Sequence, residues 1–370
     1  MKLVQVKRDA LLKPLQAVTG IVEKRHTLPI LSNVLIEKVQ EKLTLVATDL
    51  EIQISTSFII DGKKSGEDTR LTVSARKLQD ILRALPEEAE AALEAQNNRL
   101  QVRAGKSRFN LQTLPANDFP VLADPGAAQA KISLSQQQLR DLLLLVQYAM
   151  AQQDIRYYLN GLLLVLEGKQ VKVVATDGHR LSYASGQQQQ EQEKREVIIP
   201  RKAVQELAKL LADSEDLVEV ELYANQVIFR FANIKLITKV IDGKFPDYTR
   251  VIPTNYQKQI SLERARLLQS LQRAAILSNE KFRGVRWVLT AGSLRISCTN
   301  NEQEEAQEEL EISYTGEPLD VGFNITYLLD VLNNVQDEMV ECAFGDANSS
   351  MLITLPKNSE FRYVVMPMRI

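Results

Sequence analysis

Val173-Val174-Ala175-Thr176-Asp177-Gly178-His179-Arg180-Leu181 is the stretch whose reading decides the rest of the chain. Residues 173–175 read as the end of a buried strand. Asp177-Gly178 is a strong turn signal, because Gly takes positive φ without a Cβ clash and Asp bonds nearby backbone amides. His179, one of only two histidines, follows at once. The turn is either an acid–base pair or a piece of architecture, and its surroundings have to choose.

The turn is repeated. Thr48-Asp49, Thr176-Asp177 and Thr299-Asn300 each close an apolar, β-rich run, at separations of 128 and 123 residues. Ser74-Ala75-Arg76-Lys77-Leu78-Gln79-Asp80-Ile81-Leu82 resembles Pro200-Arg201-Lys202-Ala203-Val204-Gln205-Glu206-Leu207 and, more loosely, Asn324-Ile325-Thr326-Tyr327-Leu328-Leu329-Asp330-Val331-Leu332. Their acids Asp80, Glu206 and Asp330 lie 126 and 124 apart. Leu31-Ser32-Asn33-Val34-Leu35 echoes Leu159-Asn160-Gly161-Leu162-Leu163, and Phe119-Pro120 is answered by Phe245-Pro246 and Met366-Pro367. Independent markers sharing one period mean tandem copies of one unit. The copies run over residues 1–125, 126–252 and 253–370, with seams near Ala123-Asp124-Pro125-Gly126 and Ile252-Pro253-Thr254-Asn255.

Each copy carries two amphipathic helices among short alternating strands. Leu78, Ile81, Leu82 and Leu85 follow helical spacing, as do Val204, Leu207, Ala208 and Leu211, and Leu328, Val331, Leu332 and Val335. The first helix of each copy falls at 8–18, 134–150 and 262–276, and Ser74 and Asn324 are candidate N-caps. This is an α+β chain in which helices cover a sheet face. The six helical segments hold twelve Arg and Lys against six Asp and Glu, a balance of +6; with a chain total of −2, the remainder sums to −8. A positive helical face on an acidic body follows. Much of the acid sits in Glu302-Gln303-Glu304-Glu305-Ala306-Gln307-Glu308-Glu309, and residues 187–196 read as an exposed loop.

Composition and motifs exclude several classes. With 45% hydrophobic and 25% charged residues over 370, the chain is globular and multi-domain, and no apolar run approaches the roughly 18–20 residues a membrane helix needs. Residues 1–7 alternate like a strand and lack a signal peptide's apolar core, so a cytoplasmic location is expected. A net charge of −2 argues against a binder of nucleic acid by bulk positive charge, while a local basic face remains open. Cys298 and Cys342 lack CxxC spacing or a neighbouring His, and His26 and His179 form no HxxxH pattern, so no metal site is expected. No GxxxxGK[ST] or GxGxxG loop cradles a nucleotide. Asp177 and His179 leave a hydrolase or nuclease as the alternative from another class, and a three-repeat scaffold without ring closure as a second. The Thr-Asp pair recurs without His in the other copies, which favours architecture; Gly178-His179-Arg180-Leu181 is particular to the second copy.

Leu28-Pro29-Ile30-Leu31-Ser32-Asn33, Asp154-Ile155-Arg156-Tyr157-Tyr158-Leu159-Asn160-Gly161, residues 175–181, Phe245-Pro246-Asp247-Tyr248, Ser278-Asn279-Glu280-Lys281-Phe282-Arg283-Gly284-Val285 and the ending Tyr363-Val364-Val365-Met366-Pro367-Met368-Arg369-Ile370 together resemble the bacterial DNA polymerase III beta subunit, or sliding clamp, family. The likeness runs over essentially the whole chain. It implies three tandem DNA-clamp domains, each with two helices packed on antiparallel sheets, and a ring-forming, head-to-tail homodimer around duplex DNA. The basic helices would then meet phosphates without reading bases, which permits sliding. By the resemblance Arg25, Gln153, Tyr157, Tyr158, Arg201 and Lys202 would contact DNA, and Lys77, Phe109 and Leu111 of the first domain would meet Ile276 and Leu277 of the third across the dimer interface. The family's partner groove, which takes peptides with a Gln followed by Leu and Phe, maps onto Leu159, Thr176, Gly178, His179, Arg180, Leu181, Pro246, Arg250 and Val251. Ser350, Val364, Val365, Met366, Pro367, Met368 and Arg369 complete it. The implied partners are the DNA polymerase III alpha subunit, the clamp loader and other polymerases and repair proteins carrying clamp-binding peptides; no cofactor, metal or catalytic residue is implied.

Overall fold

The computed structural model describes residues 2–23, 28–60, 68–96, 98–123 and 125–369. Arg25, His26, Asp124 and Ile370 lie outside the described residues. Among the described residues, six α-helices occupy the expected places: α1 Arg8–Thr19, α2 Ala75–Ala84, α3 Gln136–Val146, α4 Arg201–Leu210, α5 Arg264–Ala275 and α6 Ile325–Asn334. Their apolar stripes point inward, with Leu11, Leu15 and Val18 of α1, Leu267 and Leu271 of α5, and Leu328 and Val331 of α6 all buried. Burial of each such Leu is worth about 1.5–3 kcal/mol. Asn324 caps α6 through its side chain, which accepts from the Thr326 amide at 2.9 Å. Ser74 stands at the N-cap of α2 but makes no side-chain cap bond.

The described residues form two compact units, residues 1–137 with 205–240 and residues 138–204 with 241–370. In the first, twelve strands make one sheet, paired antiparallel throughout, and α1 packs on α2 and on the strands Lys42–Thr48 and Ile52–Ile59. In the second, a six-stranded and a four-stranded sheet carry α5 and α6. Its core holds Trp287, fully buried and edge-on to Phe323 at 5.9 Å between ring centroids. Each unit contains a seam where one copy's sheet continues into the next. Ile52–Ile59 pairs with Ile234–Lys239, Ile52 facing Thr238. Arg180–Pro200 pairs with Asn358–Val365, Arg180 facing Val365. This sharing of sheets divides the middle copy between the units.

The third copy has the strand that should make such a seam, Glu305–Glu311, but it is an edge of the four-stranded sheet. In the first copy, Ser107–Leu114 answers to Ile234–Lys239 and Asn358–Val365. On the side away from Arg99–Ala104 it pairs only through Thr113 and Leu114; residues 107–112 have no strand partner there among the described residues. One open edge is acidic, with Glu305, Glu308, Glu309 and Glu311; the other carries Arg108 beside Lys106 and Arg103.

The loop expected at 187–196 is corrected. Those residues belong to the strand Arg180–Pro200, which pairs with Gly161–Thr176 through Gln170 facing Gln187 and Gly168 facing Gln192. The register shifts on both sides of Gly168, whose φ of 58° turns the backbone there. Gln188 fills the irregularity, nearly buried, with Nε2 donating to the Gly168 carbonyl at 2.9 Å. A polar, Gln-rich composition suggested a loop; the neighbouring strand imposed extended structure.

Candidate functional site

The Thr-Asp turn is the same device in the first two copies. Asp49 Oδ1 accepts from the amides of Glu51 at 3.0 Å and Ile52 at 2.8 Å; Asp177 Oδ1 accepts from those of His179 at 2.9 Å and Arg180 at 3.1 Å. Thr48 donates to the Ile52 carbonyl, Thr176 to that of Arg180, and each threonine oxygen accepts from the amide two residues on. In the third copy Asn300 Oδ1 accepts from the amides of Glu302 and Glu304. The Asp177 carboxylate is thus committed to two backbone amides and, through Oδ2, to Arg180 Nε at 3.2 Å. His179 meets it only through its backbone amide, and its side chain is exposed. The acid–base reading of this pair has no geometry behind it.

Between the two strands that each turn joins, the chain takes left-handed backbone. Leu50 has φ of 78° and Gly178 of 90°, so the turn by itself does not demand glycine. What sets Gly178 apart from Leu50 is Arg156: a Cβ on Gly178 would lie 2.8 Å from its Nη1 and 2.9 Å from its Nη2. The guanidinium lies over the turn because Nη2 donates to the Asp177 carbonyl at 3.1 Å, while Asp154 grips it through Nε at 3.0 Å and Nη2 at 2.9 Å. Those hydrogen bonds hold the Asp154 carboxyl down to about 2.

Beside this turn opens a cleft of about 210 Å³. Its floor is the buried cluster of Leu163, Val174, Leu181, Phe245 and Val364, flanked by Tyr158, Tyr248 and Ile252. The end of the strand Asn358–Val365 forms one wall, fixed by the Met366 amide donating to the His179 carbonyl at 2.9 Å. Of the sixteen groove residues, Leu159, Thr176, Gly178, His179, Arg180, Leu181, Pro246, Val251, Val364 and Met366 line the cleft. Arg250 points to Asp247, 2.9 Å away, and Val365 is fully buried. Met368 and Arg369 line a different cavity of about 830 Å³ with Phe282, Arg286 and Asp320. Ser350 and Pro367 are half-buried and line neither cavity. Arg156, Phe245 and Tyr248 line the cleft without having been assigned to it; their motifs were visible, but not which side chains faced one space. Tyr158, expected among the DNA contacts, also lines it, with its ring half-buried against the cluster and edge-on to Tyr157.

Arg180 is nine-tenths buried at the cleft's edge. Nη1 donates to Asp330 at 2.5 Å and Nη2 to the Tyr148 carbonyl at 2.7 Å. Burial works against the charge, but interaction with Tyr363, Asp330 and Asp177 outweighs it and pushes the guanidinium further up. It is therefore a structural cation and not an open anion receptor.

The remaining expected residues lie elsewhere. Gln153 and Tyr157 are exposed, Gln153 with φ of 55°. Arg201 and Lys202 open α4 half-buried, and Arg201 Nη1 donates to the Met150 carbonyl at 2.7 Å. Ile276 is 78% exposed just beyond α5, with Leu277 half-buried after it; Lys77 is exposed on α2; Phe109 and Leu111 project half-buried from Ser107–Leu114. The positive helical face is smaller than composition suggested. Arg8 donates to the Leu85 carbonyl and Arg264 to that of Leu332, tying the helices of each pair, and Arg273 is held by Glu308. Cys298 and Cys342 are free and buried, and burial pushes their thiols up to about 11 and about 12. Among the described residues no cluster of His, Cys, Asp or Glu could hold a metal, and no helix is long and apolar enough to cross a membrane.

Repeated two-helix units on antiparallel sheets, joined edge to edge and carrying one apolar cleft, define a three-domain protein of the DNA-clamp class. Models of the N-terminal, central and C-terminal domains of the DNA polymerase III beta subunit match residues 1–123, 133–247 and 249–369. The chain belongs to that family. It is 45% identical to the beta sliding clamp of Pseudomonas putida over 366 residues and 43% identical to that of Escherichia coli K12 over 365, in each case covering 99% of both chains. A crystal structure of a DNA polymerase sliding clamp from Pseudomonas aeruginosa with ligand superposes with a TM-score of 0.95 at 43% identity, over all of both chains. Another from that organism, bound to griselimycin, gives 0.94 at 44% identity over 99% of each.

Proposed function

We propose that the chain acts as a processivity clamp: a homodimeric ring that encircles duplex DNA, slides without reading sequence and tethers the replicative polymerase through the apolar cleft. It is not an enzyme; it holds one in place. The three domains are residues 1–125, 126–252 and 253–370. The observation that carries the reading is the pair of open strand edges. Two seams within the chain are made by strand pairing; of the third set of seam strands, Glu305–Glu311 is a sheet edge and residues 107–112 of Ser107–Leu114 have no partner on their outer side among the described residues. Opposite charge on the two edges favours their meeting, and because they are different surfaces the contact is head-to-tail, which closes only as a ring. Ile276 and Leu277 would be covered there, together with Lys77, Phe109 and Leu111.

Gln153, Tyr157, Arg201 and Lys202 are the DNA contacts in this reading, with Arg25 and Tyr158 carried by resemblance. The cleft receives peptides with adjacent Leu and Phe, because Leu181, Val251, Val364 and Met366 give an adaptable apolar surface that serves several partners. The polymerase alpha subunit, the clamp loader and other clamp-binding polymerases and repair proteins would share it, in the cytoplasm. Loading the protein onto nicked circular DNA with a clamp loader and ATP, then linearising the circle, tests the function. Retention on circles and loss from linear ends is expected; equal retention on both would overturn topological binding.

A further inference from the structure

The three seam strands differ at one matching position. Thr48 faces Gln53, Thr176 faces Leu181 and Thr299 faces Glu305 where each turn re-enters its sheet, so those three positions correspond. Three residues further along stand Thr56, Ala184 and Glu308. Strand alternation turns Glu308 to the α5 side with buried Leu310, while Glu305, Glu309 and Glu311 face the other way. Thr56 and Ala184, on strands already paired across a seam, are each 1% exposed. Glu308, on the open edge, keeps 22% of its side chain exposed.

The helices covering these strands differ in step. Nine residues after the first residue of α1, α3 and α5 stand Ala17, Leu145 and Arg273. The buried stripes confirm the match, with Leu15, Leu143 and Leu271 in corresponding places. Arg273 reaches the strand: Nε donates to Glu308 Oε1 at 2.9 Å and Nη2 to Oε2 at 2.6 Å, a two-point carboxylate clamp. Where the made seams carry uncharged residues, the open one carries an ion pair.

We propose that the Arg273–Glu308 pair is a built-in weak point of the ring: it makes the seam between two chains openable, where the two seams within a chain stay shut. The inference rests on head-to-tail closure of Glu305–Glu311 on the strand Ser107–Leu114 of a second copy. Closing that edge as Ile234–Lys239 closes Ile52–Ile59 buries position 308 as deeply as Thr56 and Ala184, and the ion pair has to shed its water. The attraction within the pair already exists in the open chain, so closing gains only the strengthening that a lower dielectric gives. Uncharged residues in the same place would be covered at a net gain. The acids on the other face still draw in the basic edge, so the contact forms readily and parts readily.

The test uses the full-length protein labelled in separate batches with donor and acceptor dyes, so that dilution reports the dimer dissociation constant and mixing reports subunit exchange. Arg273→Leu with Glu308→Ala installs the residues of the second copy, Leu145 and Ala184. This double variant should tighten the dimer by about tenfold and slow exchange by a similar factor. Arg273→Met alone strands a carboxylate in the closing seam and should weaken the dimer by about tenfold or more. If the double variant does not fold, Arg273→Gln with Glu308→Gln removes both charges with little change of shape and should move the constant in the same direction by a smaller factor. A folded double variant that dissociates as readily as the parent, or more so, overturns the proposal, because the pair, or Glu308 with the basic edge, would then be holding the seam shut. A parent protein that is monomeric at micromolar concentration would instead remove the ring reading itself.

Discussion

Asp49 and Asp177 accept the same backbone hydrogen bonds, but only Asp177 stands beside the cleft, so matched substitutions separate architecture from function. Asp49→Ala removes the acceptors of the Glu51 and Ile52 amides. At about 1 kcal/mol per bond the turn loses roughly 2 kcal/mol, and hydrogen exchange of those amides through local opening should quicken about thirtyfold. Asp177→Ala removes the equivalent pair at His179 and Arg180 and, in addition, one of the two carboxylates on a nine-tenths-buried guanidinium. That further loss is worth about 1.5–3 kcal/mol, so exchange there should quicken by well over a hundredfold, and peptide affinity should fall about tenfold or more as the Arg180 wall loosens. Asp177→Asn is the discriminating change. Its amide oxygen can still accept both backbone bonds, as Asn300 does in the third copy, so the turn and most of the affinity should survive. The assay is amide exchange by mass spectrometry beside a fluorescence titration of a Leu-Phe peptide. If Asp177→Asn were as damaging as Asp177→Ala, or if Asp49→Ala lowered peptide affinity as much as Asp177→Ala, the assignment of the turn to architecture and of its second copy to the cleft would be wrong.

Replacing Ile276 by Ala and Leu277 by Asp should give monomers in sedimentation velocity at micromolar protein, because a charge then enters an interface built on a residue that is 78% exposed in the single chain; an unchanged dimer would contradict the edge-to-edge contact. Ending the chain at Val365 removes Met366 and its bond to the His179 carbonyl, so peptide binding should vanish while the dimer persists; retained affinity would show that the tail is no wall of the groove. The Asp154 carboxyl is depressed to about 2, so the stability it contributes through Arg156 is complete above its unfolded value near 4 and declines as pH falls toward 2. Substituting Asp154→Asn should therefore leave a peptide-binding difference from the parent that is constant between pH 5 and 8 and disappears as the pH is lowered from about 4 toward 2.

How much was legible follows from how far apart the partners are. The Thr-Asp turn was readable because its bonds join residues two to four apart, and three copies repeated the signal. The six helices were readable because their apolar stripes are periodic. Arg156 over Gly178, and Arg180 on Asp330, were not: those contacts cross 22 and 150 residues, and no local pattern specifies them. Strand alternation did hold one unused clue. Val364 and Val365 are neighbours in Asn358–Val365 and must face opposite sides, so a run of consecutive tail residues could not all line one groove. Val364 joins the cluster under the cleft, while Val365 is buried outside its lining. The strand over 187–196 was hidden for the reverse reason, since its composition is that of a loop and only its partner, residues 165–170, makes it extended.

The first two turns show how one backbone device came to carry a function without changing its own bonds, and the third is a one-residue-longer relative of it. Leu50, Gly178 and Gln303 all take positive φ, and each turn is closed by an Asp or Asn oxygen accepting two amides. What differs is the load placed on it. In the first copy the residue after the device is Leu50 and the one three beyond Asp49 is buried Ile52, so the turn ends in core packing. In the second, glycine admits the Arg156 guanidinium over the turn, and Arg180 takes the place of the buried Ile, requiring two acids and an aromatic face to hold it. Both changes put cationic side chains at the rim of an apolar space and then immobilise them on carboxylates. A cleft made this way gains rigid walls while its lining stays apolar, which is what a groove shared by several hydrophobic peptide ends requires.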